Sequence, residues 1–419
     1  MLLLDTLSLS LAPDDPKENH AALFRPGDRK IMTFPEGGDL NPEHVFATTL
    51  PQIIQRLDLL GYSFESIKSE YESSTDYWSE NWGCTPIEKI SFERLVSLIE
   101  SNSLNKLFSI HLPETSSDSI TSEDTEISAQ VFRRIMSVVE KEYPEQIKDG
   151  FLAGSNPSAF GLLRRHLCPY SILKLLSKSD SNQSLELIWR LEKNLKRANG
   201  DYTNLRPGIK KSDVVLIATE GTTDAFILKN AFEILRPDVA DFFQFFEIGI
   251  GSSHPASGTD GLVKLGKALC QINLGSRVLF LFDNDAEGVD ANQKLLCETL
   301  PNEIDSMTLP NLAEFESFPT VGPEGRKSSN INGRAAAIEC YLDLSLEGRP
   351  PAFVTWRHYK DRLGIYHGVL EHKETYVKKF KDSLKDSKPL GDYDSSKLLT
   401  LVNEIVERCI EMAGKCGKH

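Results

Sequence analysis

Between residues 213 and 309, short apolar runs alternate with amphipathic stretches. Val214-Val215-Leu216-Ile217-Ala218 has no polar position, as expected of a strand covered on both faces. Thr223 to Leu235 then carries apolar residues at helical spacing. Phe242–Ile248 predicts a second strand, Leu262–Ile272 a helix, and Arg277–Phe282 a third strand. Val289–Leu300 predicts another helix and Asp305–Leu309 a fourth strand. Buried strands alternating with helices predict an α/β domain with a mainly parallel sheet. Its expected extent, with an extension, is 212–390. An amphipathic helix follows in 391–419, carried by Leu398, Leu399, Val402, Ile405, Val406 and Ile410.

The first 110 residues are patterned differently. Leu7, Leu9 and Leu11 alternate with Thr6, Ser8 and Ser10, which predicts a strand. A loop rich in Pro, Gly and Asp comes next. Leu50 to Leu60 has helical spacing and ends at Gly61, a C-cap residue type. Phe92, Leu95, Val96, Leu98 and Ile99 form another helical stripe. Residues 1–110 thus read as an α+β N-terminal domain. Residues 111–128 hold five acidic residues, no Lys or Arg, and many Ser and Thr, the composition of a linker or solvated loop. Residues 129–211 read as a mostly helical middle region. Leu173, Leu175 and Leu176, then Leu185, Leu187, Ile188, Leu191 and Leu195, supply its apolar faces.

Composition changes this picture little. The 419 residues are 40% hydrophobic and 26% charged, ordinary for a globular protein. No apolar run approaches bilayer length. Met1-Leu2-Leu3-Leu4 lacks a basic flank and Asp5 interrupts it, so a cytoplasmic protein with no membrane association is expected. Seven cysteines contain no C-x-x-C pair, which favours buried free thiols over zinc or disulfides. A net charge of −14 argues against coating nucleic acid by bulk electrostatics. It leaves room for an enzyme that concentrates positive charge near its cleft. Between 191 and 211, Lys193, Lys196, Arg197, Arg206, Lys210 and Lys211 outnumber Glu192 and Asp201. That reversal of sign suits either a nucleic-acid-facing patch or a solvated helix face.

Two acidic motifs fall at strand ends, where open α/β sheets bind ligands. Ala218-Thr219-Glu220-Gly221-Thr222-Thr223-Asp224 follows the first strand. Phe282-Asp283-Asn284-Asp285-Ala286-Glu287-Gly288 follows the third. Carboxylates converging there repel one another unless a cation lies between them. Hard oxygen donors suit Mg²⁺ or Mn²⁺. The plainer alternative makes Glu220 a helix cap and Asp283 and Asp285 a turn.

E-G-x-T-D after one apolar strand and F-D-N-D-x-x-G after another resemble the Toprim domain. That resemblance implies an α/β Toprim, Rossmann-like fold for the C-terminal domain, with Glu220, Asp283 and Asp285 as metal carboxylates. Glu220 and Asp224 also match E-x-x-x-D, and Ile338-Glu339-Cys340-Tyr341-Leu342 matches I/L-E-x-Y-L. Both are similar to nucleases of the overcoming-lysogeny-defect type. That likeness implies metal-dependent hydrolysis of phosphodiester bonds in DNA or RNA. It also implies that Asp224 and Glu339 help with a second metal and that a downstream lysine completes the site. Lys373 is the candidate, with Lys378 and Lys379 as rivals. Glu339 alone reads equally well as an exposed helix position. Phosphate contacts are sought at Ser252 and Ser253 in a Gly-Ser loop, at Arg334 on the Glu339 helix, and at Lys210 and Lys211. Each of these also reads as ordinary surface.

Leu23-Phe24-Arg25-Pro26 and Arg56-Leu57-Asp58-Leu59-Leu60-Gly61-Tyr62-Ser63 resemble the HEPN/Toprim-associated proteins. So do Pro319-Thr320-Val321-Gly322-Pro323 and Asn332-Gly333-Arg334-Ala335-Ala336. Those proteins are bacterial and often sit in defence or toxin-like contexts. The resemblance implies an anti-phage effector or toxin whose activity a partner protein or homo-oligomer controls. Arg362 to His367 has HEPN ribonuclease spacing but lies in a region without a helical-bundle pattern, and reads as coincidence. A non-cleaving nucleic-acid-binding or regulatory module and a primase-like nucleotidyl transferase are the alternatives.

Overall fold

The computed structural model describes residues 2–4, 7–9, 19–36, 39–82, 91–104, 107, 163, 166–191, 207–246, 258–272, 275–385 and 389–416. Ser252, Ser253, the 111–128 segment, Lys193, Lys196, Arg197 and Arg206 lie outside them, as does most of 129–165. The chain forms two compact units, one within Met1–Gly208 and one spanning Ile209–Cys416.

The first unit is built on a five-stranded antiparallel sheet. Its strands are β1 (Leu2–Leu4), β2 (Leu7–Ser8), β3 (Arg29–Glu36), β4 (Asp39–Thr49) and β5 (Glu186–Arg190), in the order β2-β1-β5-β4-β3. Among the described residues four helices accompany it: α1 (Leu50–Leu59), α2 (Phe64–Trp82), α3 (Phe92–Glu100) and α4 (Pro169–Leu176). Gly61 follows α1 with φ 88°, the left-handed conformation that glycine adopts without strain.

The helical reading of 185–195 is corrected here: Glu186–Arg190 is a strand lying between β1 and β4. Leu187, Ile188 and Trp189 are all buried. A strand covered on both faces has no alternation, so periodicity does not separate it from a buried helix. The Trp189 ring packs within 6.0 Å of the Phe24 and Phe46 rings. Beside them Arg190 reaches both Glu43 carboxylate oxygens, through Nε at 2.9 Å and through Nη2.

The second unit contains a four-stranded parallel sheet of β6 (Val215–Thr219), β7 (Phe243–Phe245), β8 (Arg277–Phe282) and β10 (Ile304–Thr308). Its order is β10-β8-β6-β7. Every residue of β8 is buried, as expected of a strand with helices on both faces. The helices between strands are α5 (Thr222–Leu235), α6 (Gly258–Leu269) and α7 (Ala286–Leu296). Leu262, Val263, Ala291 and Leu295 pack with Val278, Phe280, Phe282 and Ile304 in one apolar cluster.

A second, mixed sheet follows in the same unit. It comprises β11 (Phe318–Gly322), β12 (Gly325–Ser329), β14 (Val354–Lys360) and β15 (Ile365–Leu370), ordered β12-β11-β14-β15. A short ladder pairs β9 (Asn284–Asp285) with β13 (Ala335–Ala336). Helices α8 (Lys373–Ser383) and α9 (Ser396–Cys416) come last. The chain is therefore mixed α/β. Among the described residues no helix is long and apolar enough to cross a membrane.

Candidate functional site

From β6 the chain crosses to β7 on one side, and from β8 it crosses to β10 on the other. β6 and β8 are neighbours, so their carboxyl ends form a topological switch point, where open α/β sheets leave a ligand crevice. Glu220 directly follows β6 and Asp283 directly follows β8.

Backbone donors hold the carboxylates. Asp283 N–H donates to Glu220 Oε1 at 3.0 Å. Ile338 N–H donates to Asp283 Oδ1 at 3.0 Å. Asp224, in the first turn of α5, accepts from Gly221 N–H at 2.9 Å. Asp285 caps α7, its Oδ1 accepting from Glu287 N–H at 2.9 Å and Gly288 N–H at 2.8 Å. The plainer alternative from sequence makes Glu220 the helix cap; instead Asp285 caps α7, Gly221 occupies the cap position of α5, and Glu220 spans to the neighbouring strand.

Gly288 is required by close approach. A Cβ there would lie 2.1 Å from Asp283 O, an overlap with backbone that no rotamer relieves.

Glu339 is buried in a short 3-10 turn, Ile338–Tyr341. The exposed-helix alternative fails because Ile338, Cys340, Tyr341 and Leu342 are buried too, leaving no polar face. Arg334 is consequently not on a helix with Glu339; it is exposed and precedes β13. Lys373, at the start of α8, places Nζ 3.4 Å from Glu339 Oε1. Of its rivals, Lys379 is bound to Asp343 at 2.5 Å and to Ser345, and Lys378 is exposed. Lys210 and Lys211 are exposed before β6, at the opposite end of that strand from Glu220.

The electrostatics follow from this crowding. Burial, then the charges of Asp285, Asp224 and Glu287, push the Glu220 carboxyl up to about 7 against the Asp283 hydrogen bond. Burial, then Glu339, push Asp224 up to about 7, opposed by Gly221 N–H and Lys373. Burial and the four neighbouring carboxylates hold Asp283 well above the usual range. Asp285 is raised by burial as well, opposed by its cap hydrogen bonds and His367. Glu339 holds the Lys373 ammonium above its ordinary value.

His367, whose R-x(4)-H spacing from Arg362 reads as coincidence in the sequence, lies on β15. Its Nδ1 lies 3.7 Å from Asp285 Oδ2 and is buried without a hydrogen-bond partner among the described residues. Its ring stacks on His358 at 4.8 Å, and His358 Nε2 lies 3.2 Å from Glu287 Oε1. Arg362 instead binds Asp290. No local motif ties His367 to Asp285, because the two meet only when β15 packs near α7.

The donor set is all carboxylate oxygen, the chemistry that Mg²⁺ and Mn²⁺ prefer. In the present arrangement no three Asp, Glu, His or Cys side chains among the described residues close around a common cation position. The residues match a divalent cation in chemistry and charge; one oxygen each of Glu220, Asp224, Asp283 and Asp285 faces a backbone N–H, while Asp285 Oδ2 faces His367 and Glu339 faces Lys373.

Residues 2–205 match the family model described as HEPN/Toprim N-terminal domain 1. The match supports a HEPN/Toprim-associated protein. No curated protein and no solved structure matches the chain.

Proposed function

We propose that the Ile209–Cys416 unit is a Toprim-type nuclease of the overcoming-lysogeny-defect kind. It hydrolyses phosphodiester bonds in DNA or RNA with Mg²⁺ or Mn²⁺. The protein then acts in the cytoplasm as an anti-phage defence effector or toxin. The observation that carries this reading is the convergence of Glu220, Asp224, Asp283, Asp285 and Glu339 at a switch point, with Lys373 beside Glu339. So many carboxylates in so small a space are strongly disfavoured without compensating positive charge. The family match over residues 2–205 supports a nuclease-like or defence-associated role.

Glu220, Asp283 and Asp285 are the residues to hold one cation, and Asp224 with Glu339 a second. A divalent cation supplies Lewis acidity and charge neutralisation when bound. The chain does the remaining work. The Asp283 N–H fixes Glu220, the α7 cap fixes Asp285, and Lys373 offsets charge that builds on the phosphate oxygens. The test is incubation with plasmid, single-stranded DNA and tRNA in Mg²⁺ or Mn²⁺. Cleavage is expected, and Asp283→Ala should abolish it. Undiminished cleavage by that variant would sink the assignment.

One observation favours a second reading, a non-cleaving nucleic-acid-binding or regulatory module. Four of the carboxylates already accept backbone hydrogen bonds, an arrangement that is complete as a structural device. Binding with no cleavage of any of the three substrates would select it.

A further inference from the structure

A cavity of about 230 Å³ opens on the second sheet, lined by Trp356, Tyr366, Arg334, Lys327 and Gly322 among others. Its volume is below the ~300–1,000 Å³ of sites that enclose a whole drug-sized ligand, so it suits one planar ring better than a full cofactor. Trp356 on β14 and Tyr366 on β15 supply aromatic walls. Tyr366 is 53% exposed, and its ring also meets Tyr359 at 5.1 Å.

The slot for Trp356 is built with glycine on both sides. A Cβ at Gly322 would lie 3.0 Å from Trp356 Cδ1, and one at Gly368 would lie 2.9 Å from Trp356 Cε3. Side chains at either position would crowd the indole.

Arg334 connects this cavity to the carboxylates. Its backbone bridges to Asp285, and its carbonyl accepts from Gly368 N–H at 3.1 Å. Its side chain is exposed, with no ion-pair or hydrogen-bond partner among the described residues. Lys327 adds a second cation, shared with Glu324 at 2.7 Å.

We infer that this cavity is a nucleobase subsite that takes an unstacked base of a single-stranded nucleic acid. The base lies against Trp356 and Tyr366, and Arg334 contacts the adjoining phosphate. Aromatic faces beside an unpaired arginine are the combination that holds single strands without reading sequence. A duplex keeps its bases stacked and offers none to the cavity. The inference rests on the reading of the carboxylates as a phosphodiester site, since it places the strand one backbone bridge from Asp285.

The experiment measures binding of the full chain carrying Asp283→Ala, so that cleavage does not intervene. Fluorescence anisotropy compares a single-stranded DNA, the RNA of the same sequence, a duplex, and an abasic oligonucleotide with the same phosphates. Tighter binding of the single strands is expected. Trp356→Ala or Tyr366→Ala should each weaken it by about tenfold, and Trp356→Phe should largely restore it. The abasic oligonucleotide should bind weakly to the parent and be insensitive to Trp356→Ala. Arg334→Ala should lower the salt dependence by about one phosphate contact. Equal affinity for duplex and single strand, no oligonucleotide binding, or unchanged affinity in both aromatic variants overturns the subsite. Wild-type cleavage with unchanged affinity in those variants would remove the subsite alone. Aromatic-dependent binding with no wild-type cleavage would remove the nuclease reading alone.

Discussion

Glu220 accepts a hydrogen bond from the backbone of Asp283, so the first carboxylate of the cluster is anchored to the strand that carries the second. The two carboxylates then face each other's charge. Replacing Glu220 by Gln keeps an oxygen acceptor for the Asp283 N–H and removes one negative charge. The variant should unfold at a higher temperature than wild type in EDTA above pH 7, and should lose stabilisation by Mg²⁺ or Mn²⁺. Glu220→Ala should instead lose about 1–3 kcal/mol, the cost of a buried N–H left unpaired. A lower melting temperature for Glu220→Gln in EDTA would contradict this account.

The same crowding sets a pH dependence. Glu220 and Asp224 titrate at about 7 in the folded chain, against a value near 4 when unfolded. Between those values the folded state binds more protons than the unfolded state. Metal-free stability from these groups is therefore full below about pH 4 and lost as pH rises through 7. Divalent cations need the ionised carboxylates, so their stabilising effect should grow over the same window. Urea unfolding at pH 5.5, 7 and 8, with EDTA and with Mg²⁺, reads both slopes. Glu220→Gln/Asp224→Asn should flatten the metal-free slope; an unchanged slope assigns the dependence elsewhere.

Gly288 offers a sharper steric test. Its missing side chain leaves room for the Asp283 carbonyl, and backbone does not swing aside as a side-chain tip does. Gly288→Ala should cost about 1–3 kcal/mol and should impair any cation-dependent stabilisation. Gly27→Ala is the control, because a Cβ there meets nothing within 4 Å. Chemical denaturation of both variants decides the matter, and equal small effects would show that the Asp283–Gly288 turn is free to relax.

Parts of this architecture were legible in sequence for specific reasons. Arg277–Phe282 was bounded correctly because all six of its residues are buried and the run ends at an acidic turn. Thr222–Leu235 and Ser396–Cys416 were readable from helical spacing. The strand at Phe243–Phe245 leaves out Phe242 and Phe246, since aromatic spacing does not mark an end, while residues 247–248 of the expected strand lie outside the described residues. The second sheet went unread because Gly325-Arg326-Lys327-Ser328-Ser329 is mostly exposed and carries no apolar alternation. At the site, Glu220, Asp224, Asp283 and Asp285 lie in two local motifs at strand ends, which periodicity exposes. Glu339 and Lys373 were reached only through family resemblance. Trp356, Tyr366 and His367 belong to strands whose position beside the carboxylates depends on tertiary packing.

His367 tests whether that packing matters for function. Its imidazole sits on Asp285 Oδ2, the oxygen that the α7 cap does not use. Burial holds the ring below its usual pKa despite the Asp285 charge, so the ring is largely neutral at pH 7.5. At 3.7 Å, without a hydrogen bond between them, the ring packs against the carboxylate and limits where its free oxygen can turn. Removing it should let Asp285 rotate away from Asp283. His367→Ala should weaken Mn²⁺ affinity by about 10–100-fold, read from the Mn²⁺ dependence of the melting temperature. His367→Gln, which can return a polar group toward Asp285, should recover part of the loss. His358→Ala leaves Asp285 its direct neighbour and should have a smaller effect. If His367→Ala lowers metal-free stability by the same margin and leaves Mn²⁺ affinity intact, the residue only fills space between β15 and α7.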